Sequence, residues 1–220
     1  MARQSKRHSG NSNLHLHYDD TFNGLPVMAH FAPFVTEYLE RLLETAQLAL
    51  SDHRQVFAVR FDLRCPDDYL TLGLGNGVIS RFVDSLTRRI DLARKRAQRL
   101  NGFAHQTSVR CCWAREFGQE GRLHWHFVLL LNRDAFHTIG NFHSGRENLY
   151  GRIQAAWASA LEISVDDADG LVHIPANATY VLSQDDPAAM DEYFHRVSYL
   201  AKAATKEYGS RHRAFGCSGR

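Results

Sequence analysis

The stretch TSVRCCWAREFGQEGRLHWHFVLLLN, residues 107–132, decides the fold of this chain. It contains two runs of β-branched, aromatic and other apolar residues, and the sequence GQEG separates them. Two such runs joined by a short connection that contains glycine predict an antiparallel β-hairpin. The chain is therefore expected to contain antiparallel strands at its middle.

The segments on either side of the hairpin predict further helices and strands. Apolar residues follow helical spacing over 32–51, 78–100, 148–161 and 186–209. Strand patterns cover 55–64 and 178–183, and Pro, Asp and Gly residues predict a loop over 65–77. The last helix is expected to have Asp186 as its N-cap and to stop at Gly209. This order of elements predicts an α+β fold, with a central and mostly antiparallel sheet that is flanked by helices.

Composition divides the chain into a short polar beginning and a long remainder. Residues 1–24 are polar and rich in Gly, Ser and Asn, so they are expected to form an arm with little fixed structure. The chain as a whole is 44% hydrophobic and 23% charged, which is ordinary for a globular protein. We therefore expect a single domain over residues 25–220.

The same composition limits the compartment and the partners. No apolar run reaches the roughly 18 residues of a membrane span, and no secretory signal is found, so a cytoplasmic protein is expected. The four cysteines include no CxxC pair, which fits a reducing compartment. The net charge is only +2, but basic residues cluster over 80–99 and 206–220. Such clusters are typical either of a nucleic-acid footprint or of a solvated helix face.

Two histidine pairs with one residue between them are candidates for metal ligands. His124 and His126 lie in a predicted strand, so both imidazoles project from one face of the sheet. Across the hairpin, Glu116 is predicted to lie opposite His124, with Glu120 and Asp62 as alternative third ligands. Two histidines and one carboxylate suit Mn²⁺ or Mg²⁺ acting on phosphate oxygens. His15 and His17 have the same spacing in a polar segment without such a context, and no ligand role is expected for them.

The last predicted helix presents a second candidate set. On a regular helix Tyr199 shares one face with His195, Lys202 and Lys206, whereas Tyr193 and Tyr208 lie off that face. A phenol needs nearby cations to act as a nucleophile, since its free pKa is about 10. The pattern alone fits an ordinary surface, but together with a metal pair it favours a tyrosine nucleophile that attacks a phosphodiester.

These motifs resemble the HUH endonuclease superfamily, the nucleases that start rolling-circle replication. HWH at 124–126 matches its His-hydrophobic-His motif, YLAK at 199–202 matches its Tyr-x-x-Lys motif, and VFAVRFDLR at 56–64 stands where its first strand lies. FNGLPV at 22–27, HWHFVLLLNRDAF at 124–136 and VSYLAKAATKEYGSRHRAFGCS at 197–218 resemble most closely the inovirus gene II product-like and prophage YagK/YfjJ-type proteins.

The resemblance implies a mechanism and a set of partners. Tyr199 would attack a single-stranded or hairpin origin DNA and leave a 5′-phosphotyrosine and a free 3′-OH, with Lys202 assisting at the metal or at the phosphate. The residues that would contact the DNA are Lys206, His195, Arg196, Arg211 and Arg213. A host helicase and polymerase are expected partners, because no P-loop motif for a motor occurs in the chain.

Three other functions compete with nicking. A non-catalytic DNA-binding or regulatory protein on the same fold would carry the same residues without the reaction. A transposase or relaxase of the same superfamily is expected to need further domains. A histidine-triad hydrolase is disfavoured, because Val128 stands where its third histidine would be.

Overall fold

A computed structural model of the chain describes residues 6–66, 77–117, 122–142, 147–208 and 212–218. The helices are α1 (Thr36–Asp52), α2 (Gly77–Asn101), α3 (Leu149–Leu161) and α4 (Pro187–Val197), with 3₁₀ turns at Ala29–Phe31 and Ser198–Ala201. The strands are β1 (Arg7–His8), β2 (Asn11–His17), β3 (Thr21–Phe22), β4 (Leu25–Pro26), β5 (Phe34–Val35), β6 (Gln55–Arg64), β7 (Arg110–Phe117), β8 (Leu123–Asn132), β9 (Val172–His173), β10 (Thr179–Ser183) and β11 (Phe215–Cys217).

Six of these strands form one antiparallel sheet. Its order is β10-β6-β8-β7-β11, and β9 also pairs with β6. The predicted hairpin is the β7–β8 pair, and β6 borders β8 on its other side. The predicted α+β fold with a central antiparallel sheet flanked by helices is confirmed.

The sheet buries both of its faces. Strand β6 alternates between them, so Phe57, Val59 and Phe61 pack with α2 and α3, whereas Val56 and Ala58 pack with α1 and α4. Both layers are apolar because a sheet covered on two sides needs side chains of this kind on each side.

On the face that carries α1 and α4, the side chains change from apolar to polar along three neighbouring strands. In β6 the series Val56, Ala58 continues with Arg60 and Asp62. The register sets Asp62 beside His126 of β8, and Glu116 of β7 opposite His124. Antiparallel pairing therefore gathers the polar ends of β6, β7 and β8 at one place.

The last helix is shorter than its sequence pattern predicted. Asp186 is the N-cap, as expected, and its side chain accepts a hydrogen bond from the Ala189 N–H. The helix nevertheless ends at Val197, and the chain continues through the 3₁₀ turn into an extended Lys202 that forms a bridge with Phe34. This pairing outweighs the helical periodicity, so the predicted continuous face of the helix does not form. The predicted stop at Gly209 lies outside the described residues.

The polar beginning of the chain also differs from its expectation. Residues 6–24 were predicted to have little fixed structure, but they include β1, β2 and β3, and β2 pairs with β5. Glu37 of α1 accepts hydrogen bonds from the backbone N–H of His15, at 3.0 and 3.1 Å. Such bonds order a segment that has little apolar surface to bury.

Two further expectations concern the loop and the membrane. Most of the predicted loop 65–77 lies outside the described residues. None of the helices in the described part of the chain has the length and apolar character that a bilayer crossing requires.

Candidate metal centre

Three side chains of the β7–β8 hairpin converge at the polar end of the sheet. Glu116, His124 and His126 each offer one ligand atom, and these atoms lie within 4.8 Å of one another. Glu116 and His126 are buried, with 2% and 7% of their surface exposed, and His124 is half-buried. No other set of three histidine, cysteine or acidic side chains converges in this way within the described ranges.

The hydrogen bonds of the two imidazoles fix which nitrogen faces the centre. His126 Nδ1 lies 2.6 Å from Asp62 Oδ1, and an ionised carboxylate can only accept, so Nδ1 donates its hydrogen there. His124 Nδ1 lies 3.4 Å from the Arg122 carbonyl oxygen, which also only accepts. In their neutral forms both histidines therefore present an unprotonated Nε2.

These two Nε2 atoms lie 3.3 Å apart, and His126 Nε2 is also 3.3 Å from Glu116 Oε2. Three acceptor atoms face one another without a hydrogen between them. Such an arrangement is repulsive unless His126 is doubly protonated or a cation lies among the three atoms, and the donor set fits a metal ion. Nitrogen and oxygen ligands in this combination bind divalent transition metals.

The contacts also separate the three candidates for the third ligand. Glu116 is on the Nε2 side of His126, directly opposite His124 in the register. Asp62 is on the Nδ1 side of the same ring, so it orients His126 rather than joining the three converging atoms. Glu120 lies outside the described residues.

Local charges set the ionisation of this centre. Burial raises the pKa of Asp62, but the hydrogen bond and charge of His126 and the charge of Arg60 hold that pKa at about 2. Burial, with a smaller effect of His126, lowers the pKa of His124. Both shifts favour the forms that a metal needs, which are a carboxylate beside His126 and a neutral imidazole at His124.

Glu116 is held by two lysines from the segment that follows α4. Lys202 Nζ lies 2.8 Å from Oε2, and Lys206 Nζ lies 2.6 Å from Oε1. Burial alone would raise the pKa of Glu116, but His126 and the two lysines lower it. Burial lowers the pKa of Lys206 to about 8, against the effect of Glu116.

Tyr199 lies beside these groups in the 3₁₀ turn. Its ring centroid is 5.0 Å from that of His126, and Lys202 Nζ is 3.6 Å from the Tyr199 centroid. The Phe31 ring also packs against the Tyr199 ring in an edge-to-face arrangement, with 4.7 Å between the ring centroids. Tyr199 and Lys202 thus meet as the sequence suggested, although a turn and not a helix face brings them together, and Lys206 joins Lys202 at Glu116.

The remaining predicted residues are spread over different environments. His195 and Arg213 are exposed and Arg196 is half-buried, whereas Arg211 lies outside the described residues. Lys206 was predicted to contact DNA, but its side chain has 0% exposure and its amine is bonded to Glu116. That lysine therefore belongs to the interior of the site.

The sequence motifs do not single out two side chains that the structure places at this site. The sequence predicts Asp62 as an alternative metal ligand, not as the partner that orients His126, and it predicts no role for Arg60. The signal for both is in strand β6, where charged residues at 60 and 62 occupy the positions that continue the apolar series Val56, Ala58. Charges at such positions of a buried strand indicate a site.

The other histidine pair has different partners. His15 Nδ1 lies 2.6 Å from Glu37 Oε1, and His17 Nε2 lies 2.8 Å from the Thr21 carbonyl oxygen. The two residues connect β2 to α1 and to β3, in agreement with the expectation that they are not ligands.

Comparison with known proteins assigns the family. No solved structure is significantly similar to the chain. The chain is 33% identical over 194 residues to the uncharacterised protein YagK of Escherichia coli K12. This alignment covers 84% of this chain and 93% of YagK. It is 29% identical over 202 residues to the uncharacterised protein YfjJ of the same organism, covering 86% of this chain and 97% of YfjJ. The model of the YagK/YfjJ C-terminal domain matches residues 17–218. These matches confirm the YagK/YfjJ resemblance, while membership of the HUH superfamily stays a prediction. The chain belongs to the YagK/YfjJ C-terminal domain family.

Proposed function

We propose that this protein nicks and rejoins single-stranded DNA, with Tyr199 as the nucleophile beside a metal ion held by Glu116, His124 and His126. The observation that carries the proposal is the contact between the Tyr199 and His126 rings, whose centroids are 5.0 Å apart. A tyrosine in contact with a Glu/His/His cluster combines a covalent nucleophile with a centre for binding phosphate oxygens.

A divalent ion at this centre would supply positive charge that polarises the scissile phosphate. We propose Mn²⁺ or Mg²⁺ as the ion. Two imidazole ligands favour Mn²⁺ of the two, because Mg²⁺ prefers oxygen ligands and retains its waters.

The reaction of Tyr199 would exchange one phosphate ester for another. Its phenol oxygen loses a proton to solvent and forms a bond to phosphorus, while the bond from phosphorus to the 3′ oxygen breaks and that oxygen takes up a proton. The products are a 5′-phosphotyrosine and a free 3′-OH. Because the ester bond is conserved, the same tyrosine can release the strand to a 3′-OH without ATP.

Lys202 and Lys206 have distinct parts in this proposal. Lys202 lies over the Tyr199 ring and also bonds Glu116, so one cation contacts both the proposed nucleophile and a proposed metal ligand. Lys206 is fully buried against Glu116 and keeps that carboxylate ionised and oriented.

The biological setting follows from the products. A free 3′-OH primes a polymerase, so we propose initiation of rolling-circle replication of a phage or prophage element, on single-stranded or hairpin origin DNA. Unwinding would require a separate helicase, since the chain has no P-loop motif.

The test is formation of a covalent adduct. The protein is incubated with Mn²⁺ and a pool of single-stranded oligonucleotides with a randomised centre, and denatured before electrophoresis. A 3′ label is expected to migrate with the protein and a 5′ label is not, because the tyrosine retains the downstream fragment. Peptide mass spectrometry is expected to find the nucleotide on Tyr199.

Tyr193 offers a matched control for Tyr199→Phe. Tyr193 is in the preceding helix α4, fully buried, and its hydroxyl has no hydrogen-bond partner among the described residues. Tyr193→Phe is expected to retain the adduct, and Tyr199→Phe to lose it. An adduct that survives Tyr199→Phe excludes this nucleophile, and binding without any adduct favours a non-catalytic DNA-binding protein.

A further inference from the structure

Arg60 is a buried cation on strand β6. It is 6% exposed, and in the described part of the chain its guanidinium has no ion pair and its Nε has no hydrogen-bond partner. Its Cζ lies 5.5 Å from the centroid of the Tyr199 ring. Arg60 on β6 therefore lies on the Tyr199 side of the site, while Glu116 belongs to β7 and its two lysines to the segment that follows α4.

Arg196 is a second arginine near Tyr199, and it is half-buried. It precedes Tyr199 by three residues, near the end of α4, and its Nε is also buried without a partner among the described residues. Burial lowers the pKa of Arg60, Asp62 partly opposes this, and the charge of Arg196 lowers it further, so the two guanidiniums repel each other.

Two neighbouring guanidiniums are unfavourable without an anion. Removing a charge from water is costly unless hydrogen bonds and an opposite charge compensate. Asp62 is the nearest source of negative charge, but its two oxygens are bonded to His126 and His173. The buried Nε donors of Arg60 and Arg196 therefore have no acceptor among the described residues.

We propose that Arg60 and Arg196 form a binding site for a phosphate group next to Tyr199. The planar donors of guanidinium match the oxygens of phosphate, and two arginines can hold one such group from two sides. The identification of this group as a phosphodiester of the strand that Tyr199 attacks rests on the proposed function. The phosphate site itself does not, because it needs neither metal nor reaction.

The first test uses inorganic phosphate and the metal-free protein in EDTA. Phosphate is expected to raise the melting temperature of the wild type above that in chloride of equal ionic strength, because a ligand that binds the folded state stabilises it. Arg60→Gln and Arg196→Gln are expected to weaken the apparent phosphate affinity at least fivefold. Arg88→Gln is the control, since Arg88 is an exposed arginine on α2, which covers the opposite face of the sheet.

A second readout separates binding from a structural role. If Arg60 only supported the fold, Arg60→Gln would lower the melting temperature in the absence of phosphate. Loss of an uncompensated buried charge is instead expected to leave that temperature equal or higher. If Arg60→Gln does not fold, Arg196→Gln decides by the same phosphate titration.

The outcomes distinguish this inference from the proposed function. A phosphate effect that is unchanged in both glutamine variants overturns the arginine site, whether or not the protein nicks DNA. A phosphate effect that both variants lose supports the site even if no tyrosine adduct forms, and it then belongs to a protein that binds nucleic acid without cutting it.

Discussion

His126 links the three parts of the candidate site. Its Nε2 faces His124 and Glu116, its Nδ1 bonds Asp62, and its ring contacts Tyr199. A buried imidazole with all of these contacts has one orientation and one tautomer. A change at Asp62 should therefore reach the metal centre without touching any of its ligand atoms.

Asp62→Asn is expected to weaken Mn²⁺ binding by about 10–100-fold, the usual effect of losing the carboxylate behind a ligating histidine. The amide retains the size of the side chain but not the charge that favours the His126 Nδ1–H form. Isothermal titration calorimetry with Mn²⁺ measures the affinity.

His173→Ala is the control for this change. His173 bonds the other oxygen of Asp62 at 3.2 Å and is half exposed, so its removal leaves the contact between Asp62 and His126 in place. We expect an affinity close to that of the wild type. Equal affinities for Asp62→Asn and the wild type would contradict the orienting role of Asp62.

At the scale of single elements, the sequence predicted the strands better than the last helix. The alternation of β6 and the hairpin pattern of β7–β8 are local, so parity and register placed Glu116 opposite His124 correctly. The end of α4 depends on Phe34, which is distant in sequence and pairs with Lys202. Periodicity carries no information about such a pairing.

Ser198 is the residue that stabilises this change of direction. It is fully buried, its Oγ donates to the His195 carbonyl at 2.7 Å, and it accepts from the Met28 N–H at 3.0 Å. The first bond tightens the end of α4, and the second attaches that end to the segment before α1. Tyr199, the next residue, is thereby positioned from both sides.

Ser198→Ala is expected to lower the free energy of unfolding by about 1–3 kcal/mol, because it leaves the buried Met28 N–H without an acceptor. Urea denaturation followed by circular dichroism measures the change. Ser51→Ala, at an exposed serine whose Oγ donates to the Leu48 carbonyl in α1, is expected to change stability by less than about 0.5 kcal/mol. Equal stability of the two variants would show that the Ser198 bonds do not hold the turn.

At the scale of the whole molecule, the sheet separates the arginine-rich segment 80–99 from the metal centre and Tyr199. The sequence alone does not show that these two regions lie on opposite faces of the sheet. The arginine-rich segment 80–99 lies in α2, whose buried residues pack with Phe61 and Phe127. The metal centre and Tyr199 lie on the face of α1 and α4. Parity predicts which residues share a face of one strand, but only the assembled sheet shows which helix covers that face.

Some of the α2 arginines have structural partners. Arg81 donates to the Ala160 carbonyl of α3 at 2.8 and 3.1 Å, and Arg96 pairs with Glu147 at 2.5 Å. These contacts favour the solvated-face interpretation of the segment over the interpretation as a nucleic-acid footprint. A short DNA strand in the proposed site would then run along the other face of the sheet.

Salt dependence of binding tests which face contacts DNA. We compare Lys95→Gln/Arg99→Gln, two exposed residues of α2, with Arg60→Gln/Arg196→Gln, all in Tyr199→Phe protein without metal. Fluorescence anisotropy of a labelled single-stranded decanucleotide gives the affinity at several salt concentrations.

The α2 variant is expected to retain its affinity within about twofold, because its charges do not neutralise phosphates of the bound strand. The arginine variant is expected to lose roughly 0.7 from the slope of log K against log salt concentration for each phosphate contact removed. A loss of slope in the α2 variant alone would place the DNA on the opposite face of the sheet and separate it from Tyr199.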